Sequence, residues 1–396
     1  MFRTTRSTLS AALLVAALTA CGGQAAVPTD DASTPQPVSP SPSPEVDVAA
    51  AFSDAIQSPS FSVEADITGS IEAGNGVGSI TGNLTSGGGA SHLLIEVALN
   101  GQPTQVTEKI LIGAKSYTRE GELWFESPEG GASDDSFAAA LGDLDSLTDA
   151  GIVERSDKEV HRLIPSEPLS IGAAALGFTD PTVSDFEGGA EYFATDDGTP
   201  AGLVIMATWR QDMNGQSMPA EMTLDYAFTS VDEPVEITAP DDLWVKFTSD
   251  AFGYQMAYPS TWEWQHIPAS DGLAAADIFI APVGLGDVPT ELDIFHYPDL
   301  EAGIIANGWF LDSAAVIEES WGAALESSDA IDVNGLRAQL FSLHGVQDDG
   351  YEAYFQEAAV FAGTAAWDLD WYSAPGTEEE DRDLFLTMIS TFRQTP

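Results

Sequence analysis

The chain has 396 residues, with 63 Asp plus Glu against 13 Lys plus Arg and a net charge of −50. A field of that sign repels phosphate backbones and anionic headgroups, which excludes nucleic acid as a partner and excludes electrostatic docking on lipid. A single cysteine leaves no internal disulfide, while 44% apolar residues over this length suffice for two packed cores.

Arg3 and Arg6 precede an apolar run from Ala11 to Ala20, and Gly22-Gly23-Gln24 turns the chain polar again. A positive segment, a brief apolar core and small residues at a cut site describe a secretory signal. The run is about half of the roughly 20 residues that a spanning helix needs. Leu18-Thr19-Ala20-Cys21 resembles the lipobox of bacterial lipoproteins. That resemblance implies a signal peptide over residues 1–20 and a mature Cys21 whose thiol carries a diacylglycerol, with palmitate among the acyl chains. Two or more chains, at about 0.8 kcal/mol per buried methylene, give lasting attachment. The expected place is the extracytoplasmic side of the cell membrane. Residues 21–47 then form a tether, ending in Val38-Ser39-Pro40-Ser41-Pro42-Ser43-Pro44, whose composition favours extended chain. The acidity is read as solvation in saline surroundings, where screening tolerates repulsion.

Val46 to Ile56 has helical apolar spacing. Ser62 to Ile71 alternates, with Val63, Ala65 and Ile67 opposite Glu64, Asp66 and Thr68. Gly74-Asn75-Gly76 and Gly87-Gly88-Gly89 read as turns, and His92 to Asn100 as a strand. Lys109 to Tyr117 and Glu122 to Glu126 read as a strand pair joined through Glu120-Gly121, and Phe137 to Asp149 as a helix. Tyr192 to Ala194, Ala201 to Asp212 and Glu221 to Thr229 close this half as strands, with Asn214-Gly215 as a turn. Gly202 to Trp209 is apolar on both faces and should be covered on both.

The stretch from Asp232-Glu233-Pro234 to Ala239-Pro240-Asp241-Asp242 marks a boundary, giving units 48–242 and 243–396. Beyond it, strands are expected at Trp244 to Ser249, Tyr254 to Tyr258, Asp277 to Ala281, Leu292 to Tyr297, Leu336 to Leu343, Tyr351 to Phe361 and Ala366 to Tyr372. Helices are expected at Trp309 to Leu325 and Gly376 to Ile389, the second capped by Thr377. The fold class is α+β: a strongly curved antiparallel sheet, a half-barrel backed by helices, followed by a smaller αβα domain.

Catalytic chemistry finds no pattern. No Gly-x-Ser-x-Gly elbow occurs, and His92, His161, His266, His296 and His344 form no close pair in sequence. No His-Glu-x-x-His or cysteine cluster is present for zinc. Asp143, Asp145, Asp149 and Glu154 fall on calcium-loop positions, but Leu147 occupies a ligand position and Thr148 the glycine position. The expectation is a protein without catalytic residues, metal or cofactor.

Several stretches resemble known families. The opening helix into Phe61-Ser62-Val63, Lys109-Ile110-Leu111-Ile112-Gly113 through Tyr117-Thr118-Arg119 to Trp124, and the strands from Leu203 to Ile237 resemble the LppX/LprG-type, LolA-like lipoproteins of actinobacteria. That resemblance implies a curved sheet whose hollow holds acylated lipids and moves them across the envelope. Phe252 to Pro259 with Trp262, and Trp367-Asp368-Leu369-Asp370-Trp371 leading to Phe385 and Phe392, resemble the PsbP/Mog1-type αβα fold. The resemblance implies a binding module that docks an envelope protein. Leu93, Ile95, Val97, Leu99, Leu203, Ile205, Trp209, Met222, Leu224, Tyr226 and Phe228 form the candidate lipid-binding face. They suit a hollow for acyl chains or lipoglycan tails, and equally an ordinary core. The alternative to a lipid shuttle is a non-catalytic envelope scaffold with filled cores.

Overall fold

A computed structural model describes residues 46–58, 60–73, 76–127, 144–166, 183–213, 216–270, 274–282, 290–299, 323–346, 352–373 and 377–395. The signal segment, Cys21, the tether up to residue 45 and the Asn214-Gly215 turn lie outside them. The chain divides into two compact units between Asp241 and Asp242.

The N-terminal unit begins with helix α1 (Val48–Ile56). Asp47 caps it, its Oδ1 accepting from the Ala50 N–H at 3.2 Å, and Val48, Phe52 and Ile56 are buried. Eleven strands follow: β1 (Val63–Ala73), β2 (Gly76–Gly87), β3 (Ala90–Leu99), β4 (Gln105–Ile112), β5 (Lys115–Glu120), β6 (Leu123–Ser127), β7 (Leu147–Arg155), β8 (Lys158–Pro165), β9 (Val183–Ala194), β10 (Pro200–Met213) and β11 (Gln216–Val231). Their order is β6-β5-β4-β3-β2-β1-β11-β10-β9-β8-β7. Long hairpins run antiparallel, and β11 closes against β1. The period of two sorts the side chains. Val63, Ala65 and Ile67 are buried while Glu64, Asp66 and Thr68 are exposed.

Two glycines mark where neighbouring backbones come close. A Cβ on Gly82 would stand 2.2 Å from the Leu94 carbonyl oxygen, and one on Gly69 would stand 2.3 Å from that of Thr223. Only glycine permits such an approach within a strand.

The C-terminal unit holds the ribbon β12 (Leu243–Ser249), β13 (Tyr254–Pro259) and β21 (Arg393–Gln394). Its sheet has the order β14-β15-β16-β20-β19-β18-β17. These strands are β14 (Glu263–Ile267), β15 (Ala276–Ile280), β16 (Glu291–Tyr297), β17 (Ala323–Val333), β18 (Leu336–Val346), β19 (Glu352–Ala362) and β20 (Ala365–Ser373). Helix α2 (Glu378–Thr391) buries Phe385, Met388 and Ile389 in a core with Leu292, Ile294, Trp367, Leu369 and Trp371. Trp367 donates its indole N–H to the Phe252 carbonyl at 2.8 Å.

The fold class differs from the α+β expectation. The protein is mostly β, with two α-helices among the described residues, and neither sheet is a half-barrel or αβα layer backed by several described helices. Apolar spacing at three and four residues misled in two places. Leu144–Ser146 form a single 3₁₀ turn and Leu147 opens β7, so the described end of the Phe137 to Asp149 helix is not α-helical. Ala323 to Leu325 open β17, and the rest of the Trp309 helix lies outside the described residues. The expected strand from Lys109 to Tyr117 is two strands turning at Gly113, whose φ is 57°. Strands β2, β7, β8 and β17, rich in glycine or charge, and the short exposed β14 gave no apolar alternation to read; cross-strand hydrogen bonding holds them. The Gly202 to Trp209 segment is buried on one side only, because Met206 on the other side is exposed. Thr377 precedes α2 without capping its backbone: its hydroxyl donates to Asp381 Oδ2 at 2.6 Å.

Candidate functional site

The register of the N-terminal sheet brings all eleven candidate residues onto one face. Ile95, Gly82, Ile67, Tyr226, Leu203 and Tyr192 stand in one row across β3, β2, β1, β11, β10 and β9. Val97, Ile80, Gly69, Leu224, Ile205 and Ala190 form the next row. Leu99 shares a third with Gly78, Ile71, Met222 and Ala207. Leu93 reaches Phe228 through Leu84 and Ala65, and Trp209 pairs with Ala220 at the end of the face. Nine of the eleven are buried, with Leu99 and Phe228 half-buried against the same cluster.

Helix α1 lies on β7, β9 and β10 and on the 3₁₀ turn, with Phe52 against Tyr192 at 5.7 Å between ring centres. Gly198, at φ 85°, seats the β9–β10 turn beneath it; a Cβ there would meet that of Ala51 at 2.3 Å. The Tyr192 and Tyr226 phenols sit in this apolar setting, and burial raises both above the usual tyrosine range. An open groove of about 450 Å³ lies where Trp209 meets Glu72, Asp185, Glu187, Arg210 and Glu221, with Thr208, Pro219 and Ala220 completing its walls.

The opposite face carries cross-strand charge pairs. Glu108 accepts from Arg119 at 2.8 Å and bonds His92 at 2.9 Å. Burial alone would raise its pKa; the Arg119 and His92 contacts outweigh that and hold it below the usual range. Arg155 pairs with Asp225 and lies 4.2 Å over the Phe193 ring. On the candidate-face side instead, beyond Leu163 and Ala194, His161 sits between Asp149 and Asp196, which raise its pKa. Asp149 and Glu154, two of the four calcium-loop matches, therefore belong to strand β7.

In the C-terminal unit the buried Asp277 accepts from Ser249 Oγ at 2.6 Å, Tyr254 OH at 3.0 Å and His266 Nδ1 at 2.8 Å. Ser249 bonds the carboxylate rather than the imidazole, so these groups do not form a nucleophile–base relay.

A group missed in the sequence lies on the sheet face opposite α2. Asp293, Asp370 and Glu357 stand in one row across β16, β20 and β19, with Asp368 two residues from Asp370 on the same face. The ligating oxygens of Glu357, Asp368 and Asp370 lie within 4.8 Å of one another. Burial, with like charges adding, raises Asp368 and Asp370 well above the usual carboxylate range. Burial and then Glu291 push Asp293 up to about 8. The signal was present: Trp367-Asp368-Leu369-Asp370-Trp371 alternates, so its period of two sends both carboxylates to one side of a sheet whose other side is core.

No protein-family model and no curated protein matches the chain. Among solved structures, the PsbP protein of the cyanobacterium Synechocystis is 14% identical at a TM-score of 0.33, covering 41% of this chain and 98% of its own. The Mycobacterium tuberculosis lipoprotein LppX is 12% identical at 0.28, covering 48% and 98%. LprF from Mycobacterium bovis is 16% identical at 0.24, covering 51% and 99%. TM-scores this low do not establish a shared fold. No helix among the described residues is long and apolar enough to cross a membrane.

Proposed function

We propose that the chain is an extracytoplasmic lipoprotein, held to the cell membrane through acyl chains on Cys21, whose N-terminal unit shelters and shuttles an acyl lipid or lipidated glycan. One observation carries the lipid reading: among the described residues, the apolar face is far wider than the one helix laid upon it. Six strands at about 4.8 Å spacing span roughly 24 Å. Helix α1, with 9 residues, is about 13.5 Å long and about 10 Å across. Its seat is β7, β9 and β10, while the apolar rows continue through β11, β1, β2 and β3. An acyl chain is a chemically suitable cover, at about 0.8 kcal/mol per methylene. Tyr192 and Tyr226 carry phenol hydroxyls within that face, and the buried Ser86 and Ser91 pair on the same side near its edge. The second unit, in this reading, docks an envelope protein, and neither unit is catalytic.

Leu224 and Ile95 have no exposed surface at all, which favours the rival reading, a scaffold with a filled core. Native mass spectrometry of a secreted Cys21→Ser chain separates the two. A stoichiometric acyl species supports the carrier. Protein that stays empty after offered phospholipid and fatty acid supports the scaffold.

A further inference from the structure

We infer that the acidic face of the C-terminal sheet is a divalent-cation site, with Glu357, Asp368 and Asp370 as carboxylate ligands, Asp293 beside them, and Ca²⁺ as the cation that fits. Three things place it there. The first is geometry. The strands are hydrogen-bonded neighbours, so the carboxylates are presented by a rigid ladder instead of a loop. Their donor oxygens fall within 4.8 Å of one another. Ca²⁺ takes oxygen ligands at 2.3–2.6 Å, so oxygens on opposite sides of it stand about 4.6–5.2 Å apart. Mg²⁺, at about 2.0–2.1 Å, holds opposite oxygens only about 4.0–4.2 Å apart and demands near-ideal octahedral geometry, which a ladder of carboxylates serves less well than the flexible geometry of Ca²⁺.

The second is an unmet need. Asp368 is only 5% exposed, and although its carboxyl meets that of Glu357, its Oδ1 accepts from no N–H or hydroxyl donor among the described residues. Asp370 Oδ1 and Asp293 Oδ1 are buried in the same condition. Buried polar oxygens are ordinarily satisfied, and buried charges ordinarily paired or coordinated to metal.

The third is charge. Among the described residues, no Lys, Arg or His forms an ion pair with Asp293, Asp368 or Asp370. A dispersed acidic surface gives no such arrangement, because its carboxylates point into water. This face instead concentrates carboxylates where water is scarce, with Tyr297 and Tyr372 on the same side of the sheet. A bound dication neutralises two of those charges and fills the open oxygen valences together.

The test uses the Cys21→Ser full chain, stripped with EDTA and then given Ca²⁺, Mg²⁺ or Tb³⁺. Ligand at a hundred times its Kd should raise the melting midpoint of a unit this size by roughly 5–10 °C. Ca²⁺ should act at lower concentration than Mg²⁺. Tb³⁺ should give tyrosine- and tryptophan-sensitised emission that Ca²⁺ quenches. Asp368→Asn and Asp370→Asn should each abolish both responses. They should also melt higher than the parent in EDTA, because each removes a buried like charge, and this checks that they fold. Asp241→Asn, in an exposed acidic stretch, should change neither response. The inference is overturned if stripped protein shows no shift and no emission with any of the three ions. It is equally overturned if Asp368→Asn and Asp370→Asn respond as the parent does, which would put the ion on the general acidic surface.

Discussion

Replacing Ile205 by Trp asks whether the wide apolar face is solid or open. Ile205 is 1% exposed, between Leu224 and Ala190 in the second row. In a filled core the added ring has nowhere to go. Overpacking costs about 1–3 kcal/mol, and at about 2–4 °C per kcal/mol for a unit of roughly 200 residues the midpoint falls by about 2–12 °C. If a lipid chain lies against this row, the indole takes its place, and the ligand-free protein should change by less than about 0.5 kcal/mol. Binding pays instead. Displacing about four methylenes at about 0.8 kcal/mol each removes roughly 3 kcal/mol, or about two decades of affinity. The assay pairs thermal melting of delipidated protein with titration of a fluorescent fatty acid. An unchanged affinity beside a large drop in midpoint would refute the open-face reasoning.

Four further outcomes follow from the same geometry. Gly82→Ala should destabilise the N-terminal unit by about 1–3 kcal/mol in denaturant titration, since its new Cβ meets the Leu94 carbonyl at 2.2 Å. In EDTA the C-terminal unit should lose stability as pH rises from about 4 toward 8. A carboxyl raised in the folded state, as Asp293 is to about 8 from an unperturbed value near 3.9, favours folding while protonated and disfavours it once ionised. Glu291, Glu357, Asp368, Asp370, Tyr297 and Tyr372 share that face, and a midpoint that stays flat or climbs between pH 5 and 8 would speak against it. Glu108 works in the opposite sense: its lowered pKa gives stability present above about pH 4.5 and lost on acidification, so Glu108→Gln should flatten that part of the acid curve. Cys21→Ser should move the protein from the membrane fraction to the soluble one, and retention at the membrane would remove the acyl anchor from the account.

The candidate face was legible because β1, β3 and β11 alternate cleanly, and alternation sets which side each residue takes; β10, apolar on both sides in sequence, took its sidedness from its partners. Register then assembled eleven residues from three distant stretches, as in Val97 reaching Leu224 through Ile80 and Gly69. The intervening β2, Gly76–Gly87, could not be read. Its Gly78, Gly82 and Gly87 are where neighbouring atoms come too close for a side chain, so its identity as a strand depends on partners the local sequence does not contain. The β7 error has a similar origin: Leu144 and Leu147 fit a helical stripe, but Leu147 is the first residue of a ladder with β8. The acidic cluster was visible one strand at a time in Trp367 to Trp371. Its chemistry appears only when Glu357 and Asp293 arrive from neighbouring strands.

Photocrosslinking tests the central claim most directly. A phospholipid with a diazirine in one acyl chain is loaded onto the Cys21→Ser chain, irradiated, and the labelled peptides are mapped. The account predicts label within 93–99, 203–209 and 222–228, on the side chains facing α1. Label confined to residues of the outer face such as Glu64, Asp66 and Glu108, or no stoichiometric label, would contradict it.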